Sequence, residues 1–248
     1  MSVLTLDPGV AHLWYVFSDE VQDPDLLAAY HGLMSPEEAA KQARYYFPEG
    51  RHEYLLTRAL VRAVLSRYAP IAPAAWQFVR NEYGRPEIAG PSGAPRLHFN
   101  LSNTKGLIAC LVAVGRDVGV DVEDTERSAG AVDIAERFFS PSEVRALRAR
   151  PPDRQRERFF EYWTLKESYI KARGMGLALS LSAFSFDLDS PGSGVRILFD
   201  PSLEDDPGRW QFSAMSYGRR YAIAAGVESK QDSDVKIVLR ESVPLRFP

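Results

Sequence analysis

The feature that most constrains the fold is a weak internal repeat with a spacing of 105 residues. At this spacing Ser35-Pro36 falls on Ser140-Pro141, and Glu38 falls on Glu143. Few residues are identical, so the repeat lies in the order of the predicted elements: a strand, a capped short helix, a long helix, a strand, a turn and a strand. A repeat of whole elements indicates two structurally similar halves.

The two halves predict an α+β pseudo-dimer with domains at residues 1–117 and 118–248. A chain of 248 residues is long enough for two such units. The first half carries basic residues on two predicted helices, at 35–46 and 51–68, and the second half carries acids on a strand and a long helix. Because ligand clefts commonly lie between packed units, we expect one active site between the halves.

Composition limits the partners and the compartment. The chain is 45% hydrophobic and 25% charged, as is typical of a globular protein, and its net charge of -3 argues against nucleic acid as a partner. Cys110 is the only cysteine, so no disulfide forms within the chain, and we expect a buried, inert thiol. The N-terminus has no signal-peptide pattern, and no apolar run has membrane-spanning length. We therefore expect a cytoplasmic protein with no membrane partner.

A strand with two acids on one face is predicted at the start of the second half. In the segment VGVDVE at 118–123 the valines alternate with other residues, as in a strand with one buried face. Asp121 and Glu123 then point the same way, roughly 7 Å apart, and Gly119 leaves that face open beside them. A divalent cation or a basic partner would stabilise two like charges so placed. A solvated strand face is the simpler explanation of an isolated pair.

The segment 155–173 is predicted to be a helix with an acid on its apolar stripe. Phe159 and Trp163 share this stripe, and Glu167 lies on it four residues after Trp163. Lys171 follows at the next turn, so the two charges form either an exposed ion pair of small energy or part of a site. Together with the two acids of the strand, Glu167 makes an all-oxygen donor set suited to Mg²⁺.

Four short motifs stand in order along the chain: GRP at 84–86, HFNLSNT at 98–104, GVDVE at 119–123 and WTLKESYIK at 163–171. This series resembles the 4′-phosphopantetheinyl transferases of the two-half type that activate surfactin-like synthetases. The likeness covers about residues 10–227. GRP and an isolated pair of acids are each common, but GVDVE followed about forty residues later by WxxKESxxK is specific.

The resemblance implies a pseudo-dimeric α+β fold with one active site between the halves. It implies coenzyme A as a substrate and a divalent metal, usually Mg²⁺, as the cofactor. Such an enzyme moves the phosphopantetheine arm to a serine hydroxyl of an apo acyl or peptidyl carrier protein and releases adenosine 3′,5′-bisphosphate. Carriers of fatty-acid, polyketide and nonribosomal-peptide biosynthesis all stay open. Because a pseudo-dimer supplies its interface within one chain, a monomer is expected.

The resemblance also implies roles for residues of this chain. Asp121, Glu123 and Glu167 match the metal ligands, and Glu167 also matches the proposed general base. The expected catalytic set is Glu167, Lys171 and Asp121, in which Lys171 reaches the pyrophosphate. The residues expected to bind coenzyme A are Lys41, Arg44, Arg58, Arg85, Ser102, Asn103 and Lys171.

The expected contacts within the coenzyme A set differ from residue to residue. Lys41 matches a lysine of the 3′-phosphate pocket, and Arg85 matches a basic residue near the nucleotide. Ser102 and Asn103 match a phosphate-contacting pair, although many relatives have histidine where this chain has Asn103. Asparagine can donate a hydrogen bond but carries no charge, so that contact is expected to be weaker.

The 3′-phosphate pocket is the part where the chain departs most from the pattern. Glu38 and Glu53 stand at positions that are often basic in relatives. The cations available to compensate are Arg44, Arg51 and Arg58. For Arg51 and Arg62, solvated helix charge explains the residue as well as a ligand contact does.

Two other kinds of protein fit parts of the pattern. A metal-dependent nuclease also uses paired acids with a Glu–Lys pair, but nucleases usually space that pair as ExK on a strand. Glu167 and Lys171 are spaced as ExxxK on a helix, and the acidic net charge also disfavours DNA. A non-catalytic protein that binds coenzyme A or carrier proteins would be indicated by the loss of a motif acid, and each motif acid is present.

Overall fold

The two halves repeat one order of elements in the computed structural model, which describes residues 3–127, 130–190, 194–229 and 234–246. The strands are β1 Val10–Phe17, β2 Gln77–Arg80, β3 Pro86–Gly90, β4 Leu97–Thr104, β5 Leu107–Val114, β6 Val118–Asp124, β7 Phe184–Asp187, β8 Arg196–Phe199, β9 Trp210–Tyr217, β10 Tyr221–Glu228 and β11 Lys236–Glu241. The helices are α1 Pro24–His31, α2 Pro36–Ala43, α3 Pro48–Leu65, α4 Ala135–Phe138, α5 Pro141–Arg148 and α6 Pro152–Arg173. The predicted α+β class is confirmed.

The sheet topology follows the repeat. The first sheet has the strand order β11-β1-β5-β4, and the second has the order β6-β10-β9. Apart from β11 the two orders correspond, because β6, β10 and β9 take in the second half the places of β1, β5 and β4. The hairpins β2–β3 and β7–β8 also correspond. The pseudo-dimer predicted from the sequence is therefore confirmed.

Both short helices, α2 and α5, begin with the serine–glutamate capping box that revealed the repeat. The capping glutamate of each half also pairs with a buried cation of the long helix. Glu38 Oε2 lies 2.6 Å from Arg62 Nη2, and Glu143 Oε2 lies 2.8 Å from Lys166 Nζ. These pairs fix α2 on α3 and α5 on α6.

Three apolar cores hold the layers together. One packs α1 and α3 on the first sheet, and a second packs α6 on β7, β9 and β10. The third lies between the two sheets and joins β1 and β5 to β6 and β10, with members such as Leu13, Leu111, Val120 and Ile223. Because side chains of both halves share this third core, it fixes the position of one half against the other.

A row of polar side chains joins strand β4 to strand β6. Its acceptors are Asn100 Oδ1, Ser102 Oγ and Thr104 Oγ1, and they receive the backbone N–H groups of Val120, Val122 and Asp124 at 3.0, 3.2 and 3.2 Å. Because strand side chains alternate, one face of β4 makes all three bonds. The row connects the halves where the motifs HFNLSNT and GVDVE meet.

The C-terminal segment crosses back to the first half. Strand β11 runs parallel to β1, and Tyr30 Oη donates to the carbonyl of Pro244 at 2.7 Å. Val243 and Leu245 pack against the first core. Neither β11 nor α1 was predicted from the sequence, and the whole of 118–248 was expected in the second half. The domain boundary at 117 and 118 stays a prediction, but β11 lies in the first sheet.

Two features concern the expectations for membrane-spanning segments and for the single cysteine. Among the described residues, no helix combines the length and the apolar character needed to cross a membrane. Cys110 is buried in β5, and burial raises the pKa of its thiol, as expected for an inert cysteine. The cytoplasmic location and the monomeric state stay predictions.

Candidate active site

Strand β6 and helix α6 meet at unusually close range. A Cβ at Gly119 would lie 1.9 Å from the backbone oxygen of Ser168 and 2.5 Å from the backbone nitrogen of Ala172. The expectation that Gly119 leaves an open strand face is therefore wrong, because the backbone of α6 fills that space. The missing side chain instead lets the helix bring its charged residues against the acids of β6.

Three residues from three elements form one hydrogen-bond network between the halves. Lys171 Nζ of α6 lies 2.7 Å from Asp121 Oδ1 of β6 and 2.9 Å from Ser102 Oγ of β4. The Ser102 hydroxyl donates to the same Asp121 oxygen at 2.9 Å. The sequence suggested a pairing of Lys171 with Glu167, but both hydrogen bonds of Lys171 go elsewhere. The network lies where the first half meets the second, as predicted.

The second oxygen of Asp121 is buried without a hydrogen-bond partner among the described residues. A buried carboxylate oxygen without a donor is costly, and such atoms commonly mark the place of a cation or an ordered solvent molecule. Asp121 itself is 4% exposed. One oxygen of this carboxylate is thus held by Lys171 and Ser102, and the other is available to a ligand.

The two glutamates beside Asp121 carry raised pKa values. Burial, followed by the negative charge of Asp121, raises the pKa of Glu123 to about 7, although Lys171 opposes the shift. The Trp163 indole beside the Glu123 carboxylate also opposes it. The pKa of Glu167 is raised by the same two causes, burial first. The site therefore carries more negative charge than Lys171 alone offsets.

The chemical character of the predicted donors supports the metal site, but the donors do not lie together in metal-binding geometry. Among the described residues, no group of three or more acidic, histidine or cysteine side chains stands in metal-binding geometry. The chemistry of the donors nevertheless fits a hard divalent cation, because Asp121 has an unpartnered buried oxygen and Glu123 and Glu167 are coupled to its charge. The assignment of these three acids as metal ligands stays a prediction.

A cationic cleft lies on the first half. One part of about 200 Å³ is lined by Lys41, Tyr45, Gly50, Glu53, Tyr54, Thr57, Arg58 and Asn103. It shares Lys41, Tyr54 and Arg58 with a larger cleft of about 600 Å³. The cationic groups of Lys41 and Arg58 each lie 5.5 Å from the centre of the Tyr54 ring. Burial, and then the charges of Arg80 and Arg58, lower the pKa of Lys41, so positive charge is concentrated here.

Comparison with known proteins connects this geometry to a family. A family model described as the 4′-phosphopantetheinyl transferase superfamily matches residues 117–225, and a model of the N-terminal part of a 4′-phosphopantetheinyl transferase matches residues 22–115. The 4′-phosphopantetheinyl transferase HetI of Nostoc sp. (strain PCC 7120) is 36% identical over 176 residues, which is 70% of this chain and 73% of HetI. The chain belongs to the 4′-phosphopantetheinyl transferase family.

A second relative of this transferase carries the same name. The 4′-phosphopantetheinyl transferase Sfp of Bacillus subtilis (strain 168) is 33% identical over 165 residues, covering 66% of this chain and 71% of Sfp. Among solved structures, a holo-(acyl-carrier-protein) synthase from Bacillus anthracis in complex with coenzyme A (3′,5′-ADP) matches 46% of this chain and 96% of its own, with 20% identity and a TM-score of 0.40.

The transferase places Ser102 and Asn103 on opposite faces of β4. Ser102 is buried in the network with Asp121, whereas the exposed Asn103 lines the cationic cleft. Neighbouring side chains of a strand alternate, so the two residues expected as a phosphate-contacting pair face different parts of the site. Their contact with phosphate stays a prediction for each residue separately.

The basic residues of α2 and α3 in this transferase differ in whether they line the cationic cleft. Lys41 and Arg58 line the cleft, and the buried Nε of Arg58 has no hydrogen-bond partner among the described residues. Arg44 is exposed at the end of α2 and is not among the residues lining the two clefts. Arg51 Nε donates to the carbonyl of Tyr45 at 2.8 Å.

The buried Arg62 belongs to the structural framework of the first half. Its Nη1 donates to the carbonyl of Trp76 at 3.1 Å, and its guanidinium lies 4.9 Å from the centre of the Phe78 ring. Its pairing with Glu38 also explains why an acid stands at position 38, where the resemblance led us to expect a basic residue. That glutamate balances a buried cation.

The roles of two residues that support the site were not predicted from the sequence. Lys166, inside the motif WTLKESYIK, is fully buried and donates to the carbonyls of Leu181 and Phe184 at 2.7 and 2.6 Å. The capping residue Glu143 was the available signal, because a buried capping acid needs a cation. Trp163 was predicted only as core, yet it lowers the pKa of Glu123 and lines a pocket of about 230 Å³ together with that residue.

Proposed function

We propose that this phosphopantetheinyl transferase moves the 4′-phosphopantetheine group of coenzyme A onto a serine hydroxyl of an apo acyl or peptidyl carrier protein. The second product is adenosine 3′,5′-bisphosphate. The observation that supports this most directly is the Asp121–Lys171–Ser102 network between the halves, together with two further acids coupled to Asp121 and a cationic cleft on the first half. The names of the relatives HetI and Sfp agree with it.

The reaction displaces one phosphoanhydride oxygen. The serine oxygen forms a bond to the β-phosphorus of coenzyme A, the bond from that phosphorus to the bridging oxygen breaks, and the electron pair leaves on the nucleotide phosphate. Lys171 places positive charge where negative charge develops on the pyrophosphate. Mg²⁺ held by Asp121, Glu123 and Glu167 would supply further charge stabilisation to the pyrophosphate when bound.

Glu167 is the proposed base for the serine proton. Its pKa is raised by burial and by the charge of Asp121, which makes the carboxylate a stronger proton acceptor than a solvated glutamate. A positioned general base contributes about 10²–10⁴-fold to the rate. The proton lost by the serine then resides on this carboxylate until it passes to solvent.

The cationic cleft is the proposed site of the 3′-phosphate. Lys41 and Arg58 provide charge from α2 and α3, and Asn103 provides an uncharged donor from β4. Arg44 stays a prediction as a further contact to coenzyme A, and the assignment of Arg85 to the nucleotide, which the resemblance implied, stays untested. A cytoplasmic location and a monomeric state also belong to this proposal.

The decisive experiment combines the protein with coenzyme A, Mg²⁺ and a panel of apo carriers from fatty-acid, polyketide and peptide synthesis. We expect at least one carrier to gain the mass of phosphopantetheine, measured by mass spectrometry. An absence of any mass gain across the panel, with coenzyme A bound normally, would instead favour a non-catalytic binding protein.

The variant Glu167→Gln tests the proposed base. It keeps the shape of the side chain but cannot accept a proton, so we expect transfer to fall by about 10²–10⁴-fold while coenzyme A still binds, as measured by calorimetry. Normal turnover by this variant would refute the role. Glu161→Gln, at a partly buried acid of the same helix, is the matched control and should keep activity.

A further inference from the structure

The C-terminal end of α6 is completed by residues of the first half. The last four carbonyl groups of a helix lack partners within the helix. Arg85 Nη1 donates to the carbonyl of Ala172 at 2.9 Å, and Asn81 Nδ2 donates to the carbonyl of Gly174 at 3.0 Å. Both donors belong to the turn between β2 and β3. One half thus caps the helix that carries the proposed base and the lysine of the other half.

The guanidinium of Arg85 is itself held in place. Its Nη2 lies 3.0 Å from Glu87 Oε1, and its Nη1 lies 3.3 Å from Asp117 Oδ1. Gly174 makes room for it, because a Cβ at that position would lie 2.7 Å from the guanidinium carbon. The φ of +64° at Gly174 is the left-handed conformation common at the end of a helix. A cation there is also favoured by the helix dipole.

We propose that Arg85 is a positioning residue that fixes the last turn of α6, and with it Lys171, against the first half. The inference rests on the proposed function, since it concerns the same site. Ala172, whose carbonyl Arg85 holds, directly follows Lys171. The Nζ of Lys171 makes bonds of 2.7 and 2.9 Å to Asp121 and Ser102, so its position depends on that turn.

A small movement of this turn is enough to matter. Displacement of a catalytic group by about 1 Å can lower a rate by about 100-fold. Loss of Arg85 leaves the carbonyl of Ala172 without its donor and frees the end of α6 to fray. This role differs from the nucleotide contact implied by the resemblance, because the guanidinium donates to acceptors of the protein.

Steady-state kinetics with an apo carrier distinguish the two roles. We expect Arg85→Ala and Arg85→Lys each to lower kcat by about 10–100-fold, with KM and Kd for coenzyme A changed by less than about twofold. Lysine keeps the charge but not the planar fork that reaches three acceptors. Arg96→Ala, which removes an exposed arginine of the same half, should change none of these values.

Two measurements separate positioning from a general loss of structure. Guanidinium ion added to Arg85→Ala should restore part of kcat, because it can occupy the place of the missing group. Hydrogen exchange of the resting protein should become faster at the amides of residues 170–174 in Arg85→Ala and stay unchanged in β4.

Two results would overturn the proposal. A raised KM and Kd with unchanged kcat would assign Arg85 to the nucleotide, and unchanged exchange at residues 170–174 would show that Arg85 does not hold α6. If the parent protein transfers nothing to any carrier, the proposed function fails. In that case the hydrogen-exchange measurement still tests whether Arg85 holds the last turn of α6.

Discussion

At the scale of single residues, the site holds more negative charge than its neighbours offset. Lys171 bonds to Asp121, while Glu123 and Glu167 keep raised pKa values because they are buried beside that acid. A carboxylate with a raised pKa lowers the free energy of unfolding at neutral pH, since the unfolded chain ionises more easily. This cost is typical of groups kept for function.

Glu123→Gln should stabilise the metal-free protein at high pH. With an ordinary pKa of 4.5 and a folded pKa of about 7, Glu123 costs nothing when both states are protonated. Its cost grows as the pH rises from 4.5 to 7 and is complete above 7. We expect a gain of about 1–2 kcal/mol at pH above about 8, less than the full shift because solvent reaches the side chain, and little gain at about pH 5.

Urea unfolding in EDTA at both pH values measures this difference. Glu126→Gln, at an exposed position on the following turn, is the control for the substitution itself. Equal gains at the two pH values would contradict the raised pKa of Glu123.

Lys41→Ala should weaken coenzyme A selectively. Loss of a charge-assisted bond to the 3′-phosphate is expected to raise the Kd for coenzyme A by about tenfold or more, with little change for 3′-dephospho-coenzyme A. Calorimetry with the two ligands makes the comparison. Arg44→Ala should have a smaller effect, because Arg44 lies outside the residues lining the clefts. Equal losses for both ligands would mean that Lys41 does not contact the 3′-phosphate.

At the scale of elements, the position of α6 on β6 decides the geometry of the site. The close contact at Gly119 brings Lys171 to the acid of the strand, and the side-chain row of β4 sets the register of β6 against the first half. The capped end of α6 adds a third restraint from the β2–β3 turn. Each restraint acts on backbone, so a single substitution can displace several functional groups together.

Gly119→Ala tests the contact between strand and helix. The new Cβ would overlap the backbone of Ser168 and Ala172, so we expect a loss of about 3 kcal/mol or more in the free energy of unfolding and a strongly reduced transfer rate. Gly9→Ala is the matched control, because no atom lies within 4 Å of a Cβ at that position. Urea unfolding compares the two variants. Similar stabilities would show that α6 moves away without cost.

At the scale of the whole molecule, the halves are related by a repeat that the C-terminal segment breaks. Within the described part of the chain, only the first sheet receives a fourth strand, and that strand covers the edge of β1. The polar network with Asp121 lies at one junction of the halves. At another, Tyr15 and Phe17 of β1 meet the ring of Tyr217 of β9. The two junctions therefore differ in chemistry although the halves share a fold.

Deleting residues 234–248 should destabilise the protein. The deletion exposes the edge of β1 and apolar surface of the first core, so we expect a lower thermal midpoint and increased association of the unfolded protein. Tyr30→Phe, which removes only the bond to the carbonyl of Pro244, should cost about 1 kcal/mol. Thermal unfolding with light scattering measures both. A shortened chain with the parent midpoint would show that β11 contributes no stability.

The elements that could be predicted from the sequence are those marked by residues close together in the chain. Alternating valines predicted β6, and the serine–glutamate capping boxes predicted the starts of α2 and α5. The same pattern, repeated at one spacing, predicted two similar halves and a site between them. These signals are local because caps and strand alternation depend on residues only a few positions apart. The α+β class followed from them, whereas the resemblance to the family came from the four short motifs at 84–86, 98–104, 119–123 and 163–171.

Which side chains meet depends on the tertiary packing and could not be predicted from the sequence. Lys171 bonds to Asp121 rather than Glu167, Arg62 serves a buried ion pair, and β11 returns to the first sheet. Each outcome depends on partners distant in the chain, and the periodicity of one element holds no information on what packs against it. The sequence pattern around a basic residue of a helix is the same whether that residue faces solvent, a ligand or a buried acid. Only the packing of α6 on β6 and of one half on the other distinguishes these environments.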